Sequence, residues 1–156
     1  MRFRSFQRGG LPGIAIAHNN RLVGMTSDQP GYPGQLQTLV AAGPEAIASA
    51  YDVLIGGSEI ERSEISYLPV LGEPRKILCV GLNYRDHSAE SGFKQPDYPT
   101  LFARFASSLV GHEEPLIRPS ISEALDFEGE LAVIVGRRGR GSRNAQGCAC
   151  AWGHGE

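Results

Sequence analysis

The chain has 156 residues, 41% hydrophobic and 21% charged, with a formal net charge of -2. That composition excludes a disordered chain, and the charge balance gives nucleic acid no general reason to bind. No apolar run reaches the ~20 residues of a membrane-spanning helix; the three cysteines, Cys79, Cys148 and Cys150, form no disulfide framework, so a reducing, cytoplasmic setting is expected.

The first residues are Arg-rich, and the first acidic residue is Asp28. Organelle transit peptides share that bias. The alternation of residues 1–6 reads instead as a strand leading into a hairpin. Residues 13–17 and 22–25 are apolar runs, and His18, Asn19, Asn20 and Arg21 between them read as a hairpin turn, since Asn tolerates positive φ. Residues 28–34 are rich in Pro and Gly and predict a loop. Leu36, Leu39 and Val40 have helical spacing, with Gly43 placed to end that helix. Pro44 suits the first turn of a second helix, whose apolar face is Ala46, Ile47, Ala50, Tyr51 and Leu54 and whose stop is Gly56-Gly57.

After a polar stretch and the run 67–71, Gly72-Glu73-Pro74 breaks the pattern and marks a domain boundary. Residues 76–81 (KILCVG) predict a strand buried on both faces. Residues 83–91 predict a short helical turn stopped by Gly92, and 93–99 a loop with two prolines. Residues 101–105 and 108–110 are short strand candidates, and 126–136 (DFEGELAVIVG) is the clearest strand of all. Residues 141–156 lose this periodicity, and no element that buries anything is assigned to them.

If 126–136 is a strand, Asp126, Glu128 and Glu130 share one face. Neighbours two apart lie about 7 Å apart and repel by roughly 2 kcal/mol at an effective dielectric near 20. The apolar residues that follow suggest a strand entering a core, where a carboxylate row needs a counter-charge. A hard divalent cation would supply it; the competing reading is an exposed edge strand with acidic gatekeepers. His87 and Glu90, three apart, could share one face of a helical turn as a general base and its orienting carboxylate, or be a surface ion pair of little consequence. Ser107, Ser108 and His112 sit in no G-x-S-x-G elbow and read as loop or strand residues. Cys148, Cys150 and His154 are too few for a zinc site, and Arg137, Arg138 and Arg140 read as a solvated loop.

Taken together, KILCVGLNYRDHSAESG, YPTLFARFASSLVGHEEPLIRPS and LDFEGELAVIVGRRGR resemble the fumarylacetoacetate hydrolase family across roughly residues 74–140, in order and in spacing. The resemblance implies an α+β protein: a small N-terminal domain (1–72), the start of a mixed β-sheet roll (73–140) and an aberrant tail (141–156). It implies that Glu128 and Glu130 ligate Mg²⁺ or Mn²⁺, that His87 and Glu90 are the catalytic dyad on a lid-like segment, and that Asp126 is not a ligand. The implied activity is a metal-dependent hydrolase or lyase of 2-oxo or 2,4-dioxo acids working through an enolate, with isomerases, decarboxylases and dehydratases in the same family. The complete enzyme is expected to be a homodimer, with a small oxo acid as its ligand.

A third acidic metal ligand and a substrate-binding lysine expected after GRRGR do not follow, as a frameshift with an early stop, or a gene-model error, would produce. Three readings therefore stand: an enzyme lineage, a non-catalytic remnant of one, and a small binding module formed by residues 1–72.

Overall fold

The computed structural model describes residues 1–84, 92 and 97–136 in full and 150–153 by backbone only. The chain divides into two compact units, one formed by 1–71 together with 110–156, the other by 72–109.

The first unit is built on an antiparallel sheet. Its strands are β1 (Phe3–Arg8), β2 (Leu11–His18), β3 (Arg21–Thr26), β4 (Ser58–Glu59) and β5 (Ser66–Tyr67), in the order β4-β3-β2-β1-β5. The β2–β3 turn is Asn19-Asn20, with φ of 49° and 61°, and its pairing closes on His18↔Arg21. Two successive left-handed residues give the turn the twist of the strands it joins. The Arg-rich start of the chain is β1, paired to β2 along its whole length.

Two helices follow, α1 (Leu36–Ala42) and α2 (Pro44–Ile55). Gly43 separates them at φ 110°, a conformation that favours glycine, and its N–H donates to the Leu39 carbonyl. Pro44 occupies the first turn of α2, where its missing N–H costs nothing. Leu36, Leu39 and Val40 of α1 and Ala50 and Leu54 of α2 pack on Ile14 and Ile16 of β2 as the main core. Pairing puts Phe6, Gly13 and Ala15 on the opposite face of the sheet. There Phe6, Ala15 and Ile60 form a second, smaller buried cluster.

Residues 110–136 belong to the same unit but are mostly exposed coil. Here the expectation of one long strand over 126–136 is corrected: only Ala132–Val135 is a strand, β8. A strand exists through its neighbours, and β8 pairs β9 (Cys150–Gly153) while residues 126–131 are coil. β9 also lies in the segment to which periodicity assigned no element. Ile134 alone of the 131–135 run packs against the main core, while Leu131, Val133 and Val135 are exposed.

The second unit contains β6 (Ile77–Gly81) and β7 (Thr100–Arg104), paired antiparallel as a two-stranded ribbon. β6 is a strand as expected, but burial on both faces is not what forms. Leu78 is 63% exposed, because among the described residues of this unit one neighbouring strand and no covering layer lie beside it. Ala106–Ser108 is a 3-10 turn, not the start of a strand. The fold is thus α+β, with two α-helices and only antiparallel pairings among the described residues; the expected mixed roll is not assembled by them.

Candidate functional site

The residues with assigned chemistry fall in both units. Asp126, Glu128 and Glu130 lie in exposed coil of the first unit. The Phe127 N–H donates to Asp126 Oδ1 at 2.8 Å, and Phe127 itself is 91% exposed. Strand alternation therefore does not align the three carboxylates, and water reaches the segment. The repulsion argument for a cation, which needed a buried row, loses its premise. What remains is donor chemistry. Two carboxylates two residues apart are hard oxygen donors of the kind Mg²⁺ takes, one or two at a time, while keeping waters of its own. Among the described residues no group of three His, Cys, Asp or Glu gathers around a common point. The pair fits an open, weakly held ion.

In the second unit the chain leaves β6 at Gly81 and enters Leu82 and Asn83. These residues, with Val80, face Asp97, Tyr98 and Pro99 around an open depression of about 250 Å³. Leu82 has a φ of 56°. Three other non-glycine residues share a positive φ among the described residues. Asn19 and Asn20 make a hairpin turn. Glu113 lies in a tight turn in which the Glu114 N–H donates to the Gly111 carbonyl. Leu82 is the branched aliphatic one, and the left-handed region costs such a residue roughly 1–2 kcal/mol. Nothing in the sequence announces this, since leucine carries no preference for that region. His87 and Glu90, three and six residues beyond Tyr84, lie outside the described residues, as do the turn expected there, the lid and the arginine cluster.

Residues weighed as alternatives have local roles. The Ser108 hydroxyl donates to the Phe105 carbonyl at 2.8 Å within its own turn. His112 stacks edge-on against Tyr67 with ring centroids 5.2 Å apart, and its Nε2 lies 3.6 Å from Glu113 Oε1. Gly111, just before it, touches the Tyr67 backbone so closely that a Cβ would collide with it. Cys79 is a free, half-buried thiol in β6. Among the described residues no helix is long and apolar enough to cross a membrane.

Comparison with known proteins matches these segments to one family. Residues 76–154 match the family described as fumarylacetoacetate (FAA) hydrolase C-terminal. The chain belongs to the fumarylacetoacetate hydrolase family. It is similar to the mitochondrial oxaloacetate tautomerase of Xenopus laevis, 32% identical over 90% of this chain and 46% of that protein. A human mitochondrial oxaloacetate tautomerase is 30% identical over 82% of this chain and 41% of its own length. An uncharacterized protein of Methanocaldococcus jannaschii is 44% identical over 42% of this chain and 28% of its own. The chain thus spans less than half the length of these curated relatives.

Proposed function

We propose that this chain belongs to an enzyme that moves a proton on a small 2-oxo diacid, interconverting its keto and enol forms. The supporting observation is the match over 90% of this chain to a protein named for oxaloacetate tautomerisation. That name favours proton transfer over the C–C hydrolysis of fumarylpyruvate- or acylpyruvate-type substrates that the motif alone suggests.

Ketonisation needs less machinery than hydrolysis. The enol O–H loses its proton, C3 gains one, and no water attacks. One imidazole can do this, taking a proton at oxygen and delivering one at carbon. His87 is the residue we assign to that task, with Glu90 holding the imidazole and favouring its charged form. Glu128 and Glu130 are the residues that would hold Mg²⁺ or Mn²⁺, and when bound the ion would supply positive charge for the enolic oxygen. The mixed roll of the family is the arrangement proposed for 73–140, following a small domain over 1–72, with a homodimer and a cytoplasmic setting as further expectations.

The test is a substrate panel with this chain and Mg²⁺. Enol-oxaloacetate is followed for ketonisation, and fumarylpyruvate and acylpyruvates are followed for cleavage. Ketonisation above the solvent rate, without cleavage, supports the proposal. Cleavage without ketonisation returns the reading to a hydrolase, and neither activity favours a non-catalytic chain.

A further inference from the structure

We propose that Gly111 and His112 form a clamp on Tyr67 that anchors the segment 112–131 to the N-terminal sheet, so that residues 1–71 are the platform on which the Glu128–Glu130 segment hangs. The inference does not depend on the reaction assigned to the chain.

The chain leaves the first unit after Leu71 and returns to it at Val110. Two stretches that meet again after such an excursion must offset the entropy of closing it. Tyr67, shortly before the departure, and Gly111, directly after the return, make that contact. The approach is backbone to backbone. A Cβ at Gly111 would collide with the Tyr67 carbonyl and would lie 3.2 Å from the Leu68 nitrogen. Gly111 has no positive φ, so the position uses the missing side chain and not glycine's backbone freedom. It is buried, although Val110 and His112 on either side of it are exposed. The His112 ring then lies edge-on to the Tyr67 ring, which is itself buried.

Each half of the clamp is tied to its own side. Tyr67 pairs with Phe6 of β1, and the Leu68 N–H donates to the Ser5 carbonyl at 2.9 Å. On the other side the Glu114 N–H donates to the Gly111 carbonyl at 3.2 Å. Between that turn and Ile134, which packs against the main core, every residue but Ser122 is exposed. The segment carrying Glu128 and Glu130 is thus anchored at both ends, and the Gly111 end is the one that a single methyl group can open.

Hydrogen exchange on the full chain tests the clamp from both sides. The Leu68 amide reports the platform, the Glu114 amide reports the segment, and the β2–β3 amides report the fold of the unit. Gly111→Ala should speed exchange at Leu68 by roughly tenfold or more, with the β2–β3 amides within about twofold of the parent. His112→Ala keeps the backbone approach and removes only the ring, so it should speed Leu68 by a few-fold. Tyr67→Leu keeps an apolar side chain in β5 and should speed Glu114, across the contact, by a similar factor. Gly129→Ala adds a methyl group to the same segment where nothing lies within 4 Å of it, and should change neither amide. Leu68 unchanged in both Gly111→Ala and His112→Ala, or Glu114 unchanged in Tyr67→Leu, would overturn the proposal. So would an equal response to Gly129→Ala. Equal acceleration of the β2–β3 amides in His112→Ala and Tyr67→Leu would also overturn it, because the contact would then support the whole unit and not anchor one segment.

Discussion

The Phe6 ring occupies the space in which a side chain at Gly13 would stand. The two residues face each other across β1 and β2, and a Cβ at Gly13 would lie 2.6 Å from Phe6 Cε2. Phe6 is fully buried there. Gly13→Ala should therefore destabilise the first unit by about 1–3 kcal/mol through overpacking, and Phe6→Leu by a comparable amount through the cavity it leaves. The double variant should recover part of the loss, because the smaller side chain makes room for the methyl group. Denaturant titration of the four proteins measures the coupling. Strict additivity would mean that the contact carries no energy.

The Asn19-Asn20 turn makes a second prediction. Asn20→Gly should be neutral or stabilising by a few tenths of a kcal/mol, and Asn19→Val destabilising by about 1–2 kcal/mol, since a β-branched residue is poorly tolerated at positive φ. Thermal unfolding read at the β2–β3 amides checks both.

The first unit was legible because its signals are local. Asn-Asn, Gly43-Pro44 and the apolar spacing of Ala50 and Leu54 each dictate a neighbouring geometry, and each forms as expected. The second half of the chain was less so, because burial there is set by partners that periodicity cannot name. The run 76–81 reads as a core strand but gains a single neighbouring strand among the described residues. The carboxylates at 126–130 alternate like a strand but lie in exposed coil, so the spacing argument, which needed a buried strand face, did not survive. The Cys150–Gly153 strand was invisible because four residues of mixed size, Cys-Ala-Trp-Gly, carry no alternating pattern. Of the candidate site, Glu128 and Glu130 are assigned from the sequence resemblance alone, whereas the left-handed Leu82 and the depression beside Asp97–Pro99 are visible only in the structure.

Tyr32 carries a buried hydroxyl with no hydrogen-bond partner among the described residues. Its ring packs against the main core. Burial pushes the phenol above its ordinary value of about 10. The folded state thus favours the neutral phenol, whereas the unfolded chain ionises first as pH rises. The associated stability is complete below pH ~10 and is lost above it. Tyr32→Phe should be neutral or stabilising at pH 7, because it removes an unpaired polar group, and should lose part of the alkaline decline. Unfolding free energies at pH 7 and at pH 10–11 test this; a clear loss at pH 7 would mean that the hydroxyl has a partner.

For the metal, the exposed segment around Glu128 and Glu130 sets the expected strength. Mn²⁺ should bind weakly, in the millimolar range, as followed by its electron paramagnetic resonance signal. Glu128→Gln with Glu130→Gln should abolish that binding while changing unfolding free energy by less than about 0.5 kcal/mol, as expected of exposed side chains. Unchanged Mn²⁺ binding in the double variant would remove these two residues from the proposed site.

The central claim is that this chain serves proton transfer on an oxo diacid through His87. The most direct measurement is the rate of enol-oxaloacetate ketonisation with Mg²⁺ for the chain and for His87→Asn. The expected result is a rate above solvent that falls by about 10²–10⁴-fold in the variant, the usual contribution of a general acid–base. An equal rate in the two proteins, or none above solvent in either, would contradict it.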